Sequence, residues 1–157
     1  MPSSRSELIR SIFRRTLDQV DVAAAVQRQL RLRGSALEIA SETVSLADLN
    51  TILIVAVGKA AAPMCEGAVR ALRDAPVALE AIVVAPQPPR DPIPALTFFP
   101  GAHPTPDADS CAAAQAVLHR LGIVDGRTLV LFLISGGASA MLEVSIDPEI
   151  TIADTAN

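Results

Sequence analysis

A continuous apolar run, Ile52–Val57, ends at Gly58 and is followed by Lys59 and a stretch of small residues. Aliphatic residues without polar alternation are typical of a parallel strand buried on both faces, and the small residues favour a helix directly after it. Open α/β sheets bind their ligands at the carboxyl ends of such strands. Lys59 is therefore predicted to face a cleft, where its compact charge suits a phosphate. The alternative is that Lys59 has no functional role and occurs here by chance, in a chain that otherwise uses twelve arginines.

The composition favours a soluble α/β protein. The 157 residues suit one domain, and half of them are apolar without any Trp or Tyr, so the core must consist of Ala, Val, Ile and Leu. The net charge of −4 argues against nucleic-acid binding. Residues 1–33 carry seven arginines against three acids. We interpret this basic segment as a solvated helix face, and the alternative is a surface that binds a partner or a membrane. No signal core or membrane span is recognisable, so a cytoplasmic location is expected, with Cys65 and Cys111 as buried reduced thiols.

Helical and strand patterns then alternate along the chain. A first helix is predicted over residues 5–20 and a second from its cap at Asp21 to Gly34, followed by an irregular segment with at most a short strand. The fold predicted from the remaining pattern is a Rossmann-like, mostly parallel sheet with helices on both faces, a three-layer α/β/α arrangement. Its elements are strand 52–57, helix 60–73, strand 81–85, a rigid proline-rich connection 86–95, strand 97–99, a helix capped by Asp107, and strand 129–134.

Two strand-to-helix turns are candidates for an anion site. The first is Gly58-Lys59, and the second is Ser135-Gly136-Gly137-Ala138-Ser139. Glycines let the backbone approach a ligand closely, and Ser135 and Ser139 add hydroxyl donors. The alternative is a tight turn that needs glycine for its conformation. Neither turn is a Walker A sequence, and the chain has no G-x-S-x-G elbow, so Ser135 is disfavoured as an acyl-transfer nucleophile.

The loop 101–107 holds two further candidates, His103 and Asp107. An imidazole between prolines can bind a substrate hydroxyl or move a proton, and its alternative role is to tie its own loop together. Helix capping is the default role of Asp107, with ligand or metal contact second.

Three segments together resemble the successive motifs of the N-terminal domain of the bacterial and archaeal glycerate 2-kinases, the MOFRL-type glycerate kinases. They are residues 57–64, 101–107 and 133–140, and the similarity extends from residue 5 onward. The resemblance implies ATP-dependent, Mg²⁺-assisted transfer of the γ-phosphoryl group to the 2-hydroxyl of D-glycerate, giving 2-phosphoglycerate. It also implies a cleft between this α/β domain and a second domain.

Residue roles follow from the resemblance by position. Lys59 is implied to be the catalytic cation, and the remaining residues are implied to bind substrate or phosphate, with ATP and Mg²⁺ as cofactors and no metal ligand assigned to the chain. These binding residues are Gly58, Ser135, Gly136, Gly137 and Ser139 in the two turns, with His103 and Asp107 on the neighbouring loop.

The chain departs from this family in length, because family members are more than twice as long. We therefore expect residues 1–157 to form an incomplete N-terminal α/β domain without the second domain, inactive or weakly active alone. Thr151–Asp154 has the form of a capping box and predicts a further helix. The alternative function is a non-catalytic α/β binding module that docks through its arginine-bearing helices or self-associates through an unfinished sheet edge. A nicotinamide-dependent oxidoreductase is disfavoured because the G-x-G-x-x-G fingerprint is absent.

Overall fold

The computed structural model describes residues 5–18, 20–147 and 149–155. In chain order, its elements are α1 (Arg5–Asp18), α2 (Val22–Gln29), β1 (Leu30–Arg33), β2 (Ala36–Ile39), β3 (Glu42–Ser45), β4 (Thr51–Val57), α3 (Ala61–Leu72), β5 (Ala78–Ala85), β6 (Leu96–Pro100), α4 (Ala108–Gly122), β7 (Thr128–Ile134), α5 (Ala138–Met141) and α6 (Ile152–Thr155). Among these described helices, none is long and apolar enough to cross a bilayer.

Four strands form the central parallel sheet in the order β6-β5-β4-β7. The continuous apolar run predicted as a strand is β4, which lies between two neighbours and has no exposed residue. Alternate residues of β4 face opposite sides of the sheet, which explains why both sets are apolar.

Helices cover both faces of this sheet. Ile52, Ile54 and Ala56 pack in one cluster with the inner face of α3. Leu53, Val55 and Val57 point the other way and pack with α4 and Met141. The predicted three-layer α/β/α arrangement is confirmed.

The predicted extent of the second helix is wrong. Asp21 caps α2 as expected, because its carboxylate accepts a hydrogen bond from the Ala24 N–H at 2.9 Å, but the helix ends at Gln29. Leu30 to Arg33 form β1, in which the two leucines alternate with exposed arginines. Gly34, at φ +61°, turns the chain into β2.

The following segment, predicted to be irregular, contains two strands. β1, β2 and β3 form a three-stranded antiparallel sheet. Leu37 of β2 is fully buried against the α3 side of the central sheet, so this small sheet extends the same hydrophobic core. The period-two alternation outweighed the helical pattern that continues from α2.

The first and the last predicted helices of the chain have different outcomes. The first helix was predicted to reach residue 20, but α1 ends at Asp18, and Gln19 lies outside the described residues. The capping box at Thr151 is confirmed, since the Asp154 carboxylate accepts from the Thr151 N–H at 2.8 Å and α6 begins at Ile152. The hydrogen bond that the Thr151 hydroxyl donates to the same carboxylate, together with the one from the Thr151 N–H, lowers the pKa of Asp154.

Both cysteines are free thiols, and only one is buried. Cys65 is fully buried in α3, as predicted, whereas Cys111 in α4 is only partly buried, so its predicted burial is wrong. Burial, with a smaller effect of the neighbouring Glu66 carboxylate, raises the pKa of Cys65 to about 12.

The raised pKa predicts a loss of stability at high pH. In the unfolded chain the thiol has its ordinary pKa of 9.0, so the folded state favours the neutral thiol. This contribution is fully present below pH 9 and is lost as the pH rises toward 12. Relative to a Cys65→Ala variant, the free energy of unfolding should fall by about 1.4 kcal/mol per pH unit in this window. Urea unfolding followed by circular dichroism at stepped pH checks it; equal slopes for both chains would contradict it.

Candidate functional site

The two candidate turns lie side by side at the carboxyl end of the sheet. β4 and β7 are neighbouring parallel strands, and their last residues, Val57 and Ile134, are directly paired. The chain builds β5 and β6 to one side of β4 and then returns to place β7 on the other side. The gap between β4 and β7 is thus the topological switch point, where open α/β sheets bind their ligands.

Backbone hydrogen bonds connect the two turns directly. The Lys59 N–H donates to the Gly136 carbonyl oxygen at 3.0 Å, and the Ser135 N–H donates to the Val57 carbonyl oxygen at 3.0 Å. These bonds hold the base of the Lys59 side chain against the glycine turn. The relative position of the two turns is therefore fixed by the backbone.

The Ser135 hydroxyl belongs to this framework. Its Oγ accepts a hydrogen bond from the Ala60 N–H at 3.0 Å and donates to the Val57 carbonyl oxygen at 3.4 Å. Its proton is directed to the protein rather than to the cleft. A ligand contact by Ser135 stays a prediction, and in this structure the hydroxyl aligns the two turns.

Lys59, His103 and Gly137 converge at the glycine turn. A methyl group built on Gly137 would lie 2.8 Å from Cδ2 of His103 and 3.4 Å from Cγ and Cε of Lys59. His103 follows β6, which is separated from β7 by the two strands β5 and β4, so its loop crosses the end of the sheet to reach the turn. Gly101 allows this crossing, because a methyl group there would lie 2.8 Å from Cγ and Sδ of Met141 in α5.

The glycine turn presents hydrogen-bond donors without partners. Within the residues that the structure describes, the N–H groups of Gly136 and Gly137 donate to no other group, and Lys59 forms no ion pair. Gly137 has φ +89°, a left-handed conformation that favours glycine. One ammonium beside two free N–H groups is chemically suited to an anion such as a phosphoryl or carboxylate group.

The two remaining predicted residues are Asp107, which caps a helix, and Ser139, which is exposed. Asp107 caps α4: its Oδ1 accepts from the Ser110 N–H at 3.0 Å, and its own N–H donates to the Ser110 hydroxyl at 3.2 Å. The capping role that the sequence favoured is confirmed. Ser139 is exposed in α5, and its hydroxyl makes no hydrogen bond in the described part of the chain. Ligand contacts of both residues stay predictions.

A cavity adjoins Lys59, and the wall that the segment after β5 contributes to it was not predicted from the sequence. Its volume is about 290 Å³, and no residue of the turn 135–139 lines it. It is bounded by the start of α3 and by the segment after β5, with the lining residues Lys59, Ala62, Pro63, Glu66, Pro86, Gln87, Pro88 and Arg90. The prolines of this connection by themselves predict only a rigid surface segment. Its position directly after the carboxyl end of a buried parallel strand is the sequence feature that could have indicated a cleft wall, since ligands of open α/β sheets bind there.

Glu66 anchors this wall to α3. The Glu66 side chain is about 10% exposed, and Oε1 accepts hydrogen bonds from the N–H groups of Arg90 at 2.6 Å and Asp91 at 3.4 Å. Arg70 lies 3.8 Å from the other carboxylate oxygen and donates to Asp91 at 2.6 Å. The hydrogen bond to Asp91 raises the pKa of Arg70. A buried carboxylate thus fixes the loop that carries Arg90.

The donor set of the site suits phosphate better than a metal ion. No group of three or more His, Cys, Asp and Glu side chains within residues 5–18, 20–147 and 149–155 has the arrangement to hold a metal. The turn offers N–H groups and a cation, which complement nucleotide phosphates. These described residues suit a phosphate group and contain no cluster of side chains that could hold a metal ion.

Comparisons with known sequences point to one family. The family described as a domain of unknown function, DUF4147, matches residues 8–157. An uncharacterized protein of Caenorhabditis elegans is 31% identical over 140 residues, which cover 85% of this chain and 30% of the relative. The D-glycerate 2-kinase of Thermotoga maritima is 29% identical over 106 residues, covering 68% of this chain and 25% of the enzyme.

Solved structures agree with this relationship. A crystal structure of a Pyrococcus horikoshii protein has a TM-score of 0.72 at 25% identity, with 93% of this chain and 33% of that chain covered. The crystal structure of the Thermotoga maritima glycerate kinase has a TM-score of 0.58 at 28% identity, with 68% and 25% covered. The chain therefore spans a quarter to a third of the length of these relatives. With nearly every residue inside the family match, the chain belongs to the DUF4147 family, the N-terminal domain of MOFRL-type glycerate kinases.

Proposed function

We propose that this chain supplies the phosphate-binding part of a kinase site that transfers the γ-phosphoryl group of ATP to the 2-hydroxyl of D-glycerate, giving 2-phosphoglycerate. The observation that carries the proposal is the position of Lys59 beside Gly136 and Gly137, whose N–H groups have no partner among the described residues, at the switch point between β4 and β7. Family membership supports the reaction class, and the Thermotoga maritima relative is named a D-glycerate 2-kinase.

The arrangement matches what phosphoryl transfer requires of a protein. The transition state spreads charge over the phosphoryl oxygens, so catalysis depends on positioning and on charge stabilisation. In this proposal the Gly136 and Gly137 N–H groups donate to phosphoryl oxygens while the Lys59 ammonium offsets their charge. His103 packs against Gly137 and donates to the same ligand from the rim. Mg²⁺, which binds through nucleotide phosphates in such enzymes, supplies further charge neutralisation.

The test combines ATP binding and turnover by the 157-residue chain. Isothermal titration calorimetry should detect ATP binding. A coupled ADP-release assay with D-glycerate should give rates well below the roughly 1–100 s⁻¹ of ordinary kinases, because water is not excluded from an open cleft. Absence of ATP binding would contradict the proposal. Turnover at ordinary kinase rates would show that these residues alone suffice.

The exposed edge of β7 favours a second candidate function, a non-catalytic binding module. β7 is at the edge of the sheet and pairs, among the described strands, with β4 alone. Phe132 and Ile134 on this strand are 48% and 67% exposed. An open edge with apolar side chains is a site for pairing with a second copy of the chain. Analytical ultracentrifugation separates the candidates: a dimer that a Phe132→Lys substitution dissociates, without ATP binding, would favour the binding module.

A further inference from the structure

From the cavity beside α3 we infer an acceptor subsite, in which Arg90 and Lys59 bind the carboxylate of a small hydroxy acid. The inference rests on the proposed function for the identity of that acid, D-glycerate. It adds Arg90 as a specificity-determining residue and Glu66 as a positioning residue, neither of which belongs to the three sequence motifs.

The charge of the cavity favours an anion. Lys59 and Arg90 both line it, and neither forms an ion pair in the described ranges. The single carboxylate in the lining is Glu66, whose Oε1 already accepts two backbone N–H groups. Two unpaired cations therefore face one engaged carboxylate, and an arginine binds a carboxylate with two parallel hydrogen bonds.

The size and lining of the cavity favour a small acid over a nucleotide base. Its volume of about 290 Å³ lies at the lower end of the range for small-molecule sites, about 300–1,000 Å³. The apolar part of the lining consists of alanine and prolines, with no aromatic ring on which a base would stack. Gln87 adds one amide that can bind a hydroxyl group.

Lys59 connects the subsite to the phosphate-binding turn. Its Cγ and Cε lie beside Gly137, and the same side chain lines the cavity on the α3 side. An acid in the cavity and a phosphoryl group at the turn would therefore lie on either side of one ammonium. Phosphoryl transfer needs donor and acceptor to be held together in this way.

The backbone of Arg90 is anchored to α3. Its N–H donates to the buried Glu66 carboxylate at 2.6 Å, and prolines 86, 88 and 89 stiffen the segment that precedes it. The guanidinium itself is on an exposed residue, so a substitution there changes the cavity without changing the core.

The experiment is calorimetric titration of the 157-residue chain with D-glycerate, with glycerol as the neutral analogue, and separately with ATP. Arg90→Gln is compared with Arg73→Gln, an exposed arginine that pairs with Asp74 away from the cavity. We expect Arg90→Gln to weaken D-glycerate binding about tenfold or more and Arg73→Gln to leave it unchanged. Glycerol should not compete with D-glycerate, ATP affinity should stay within about twofold, and the melting temperature should not move.

The result that overturns the subsite is D-glycerate binding that is absent in the parent chain, unchanged by Arg90→Gln, or displaced by glycerol. These outcomes are distinct from failure of the proposed function. If ATP does not bind while D-glycerate binds in an Arg90-dependent way, the assignment of the glycine turn as a phosphate site is wrong and the acceptor subsite is supported. If ATP binds and D-glycerate does not, the acceptor subsite is wrong and the phosphate site is supported.

Discussion

Replacing Gly58 by alanine should lower the free energy of unfolding by about 3–5 kcal/mol. Two costs combine at this position. Gly58 has φ +116°, a conformation that residues with a side chain rarely adopt. A methyl group there would also lie 2.5 Å from both the carbonyl oxygen and Oγ of Ser135, so the β4 and β7 turns would have to separate.

Two other glycines separate these costs. Gly34 has φ +61° with nothing within 4 Å of an added methyl group, so Gly34→Ala carries only the conformational cost, about 1 kcal/mol. Gly126 has neither constraint, and Gly126→Ala should change stability by no more than about 0.5 kcal/mol. Urea unfolding by circular dichroism measures all three. A Gly58→Ala loss no larger than that of Gly34→Ala would mean that the two turns are not in close contact.

Substituting methionine for Lys59 should weaken ATP binding by about thirtyfold, since it removes a charge-assisted contact to the phosphates. Methionine keeps most of the apolar length of the side chain and removes the ammonium. Lys59 is exposed and unpaired in the described structure, so the melting temperature should be nearly unchanged. Calorimetric titration with ATP and a thermal melt measure the two effects separately.

The matched variants for this prediction are Lys59→Arg and Arg73→Gln. Arginine at position 59 retains a positive charge, so it should recover part of the affinity that methionine loses. Arg73→Gln removes a cation away from the site and should have no effect on ATP binding. Equal losses in Lys59→Met and Arg73→Gln, with none in Lys59→Arg, would indicate that only net charge matters, which contradicts a specific role for Lys59.

The sheet and the placement of the two turns were predictable from the sequence because they depend on local signals. The apolar runs of β4 and β7 each end in glycine or a serine-glycine pair, and parallel strands place their carboxyl ends at one edge. The β1 strand was missed for a local reason too. Leu30 follows Val22 and Val26 at a spacing that continues the helical pattern, and the four residues of β1 were too few to reveal the alternation of Leu30 and Leu32 with arginines.

The rest of the site depends on contacts between distant residues, which no local pattern encodes. The Ser135 hydroxyl bonds to the Ala60 N–H across 75 residues, and its role in aligning the turns follows from the pairing of β4 with β7. Likewise, Glu66 resembles any helical glutamate in the sequence. It becomes the anchor of Arg90 only because the proline-rich loop packs onto α3.

Joint binding of one anion by the glycine turn and Lys59 is tested most directly by following the backbone amide signals of Gly136 and Gly137 by ¹⁵N nuclear magnetic resonance while ATP is added. We expect downfield shifts of both amide protons in the parent chain, and much smaller shifts at the same ATP concentration in Lys59→Met. Signals that stay in place at Gly136 and Gly137 while other residues respond, or equal shifts in the two chains, would contradict the claim that one anion is bound jointly by the turn and by Lys59.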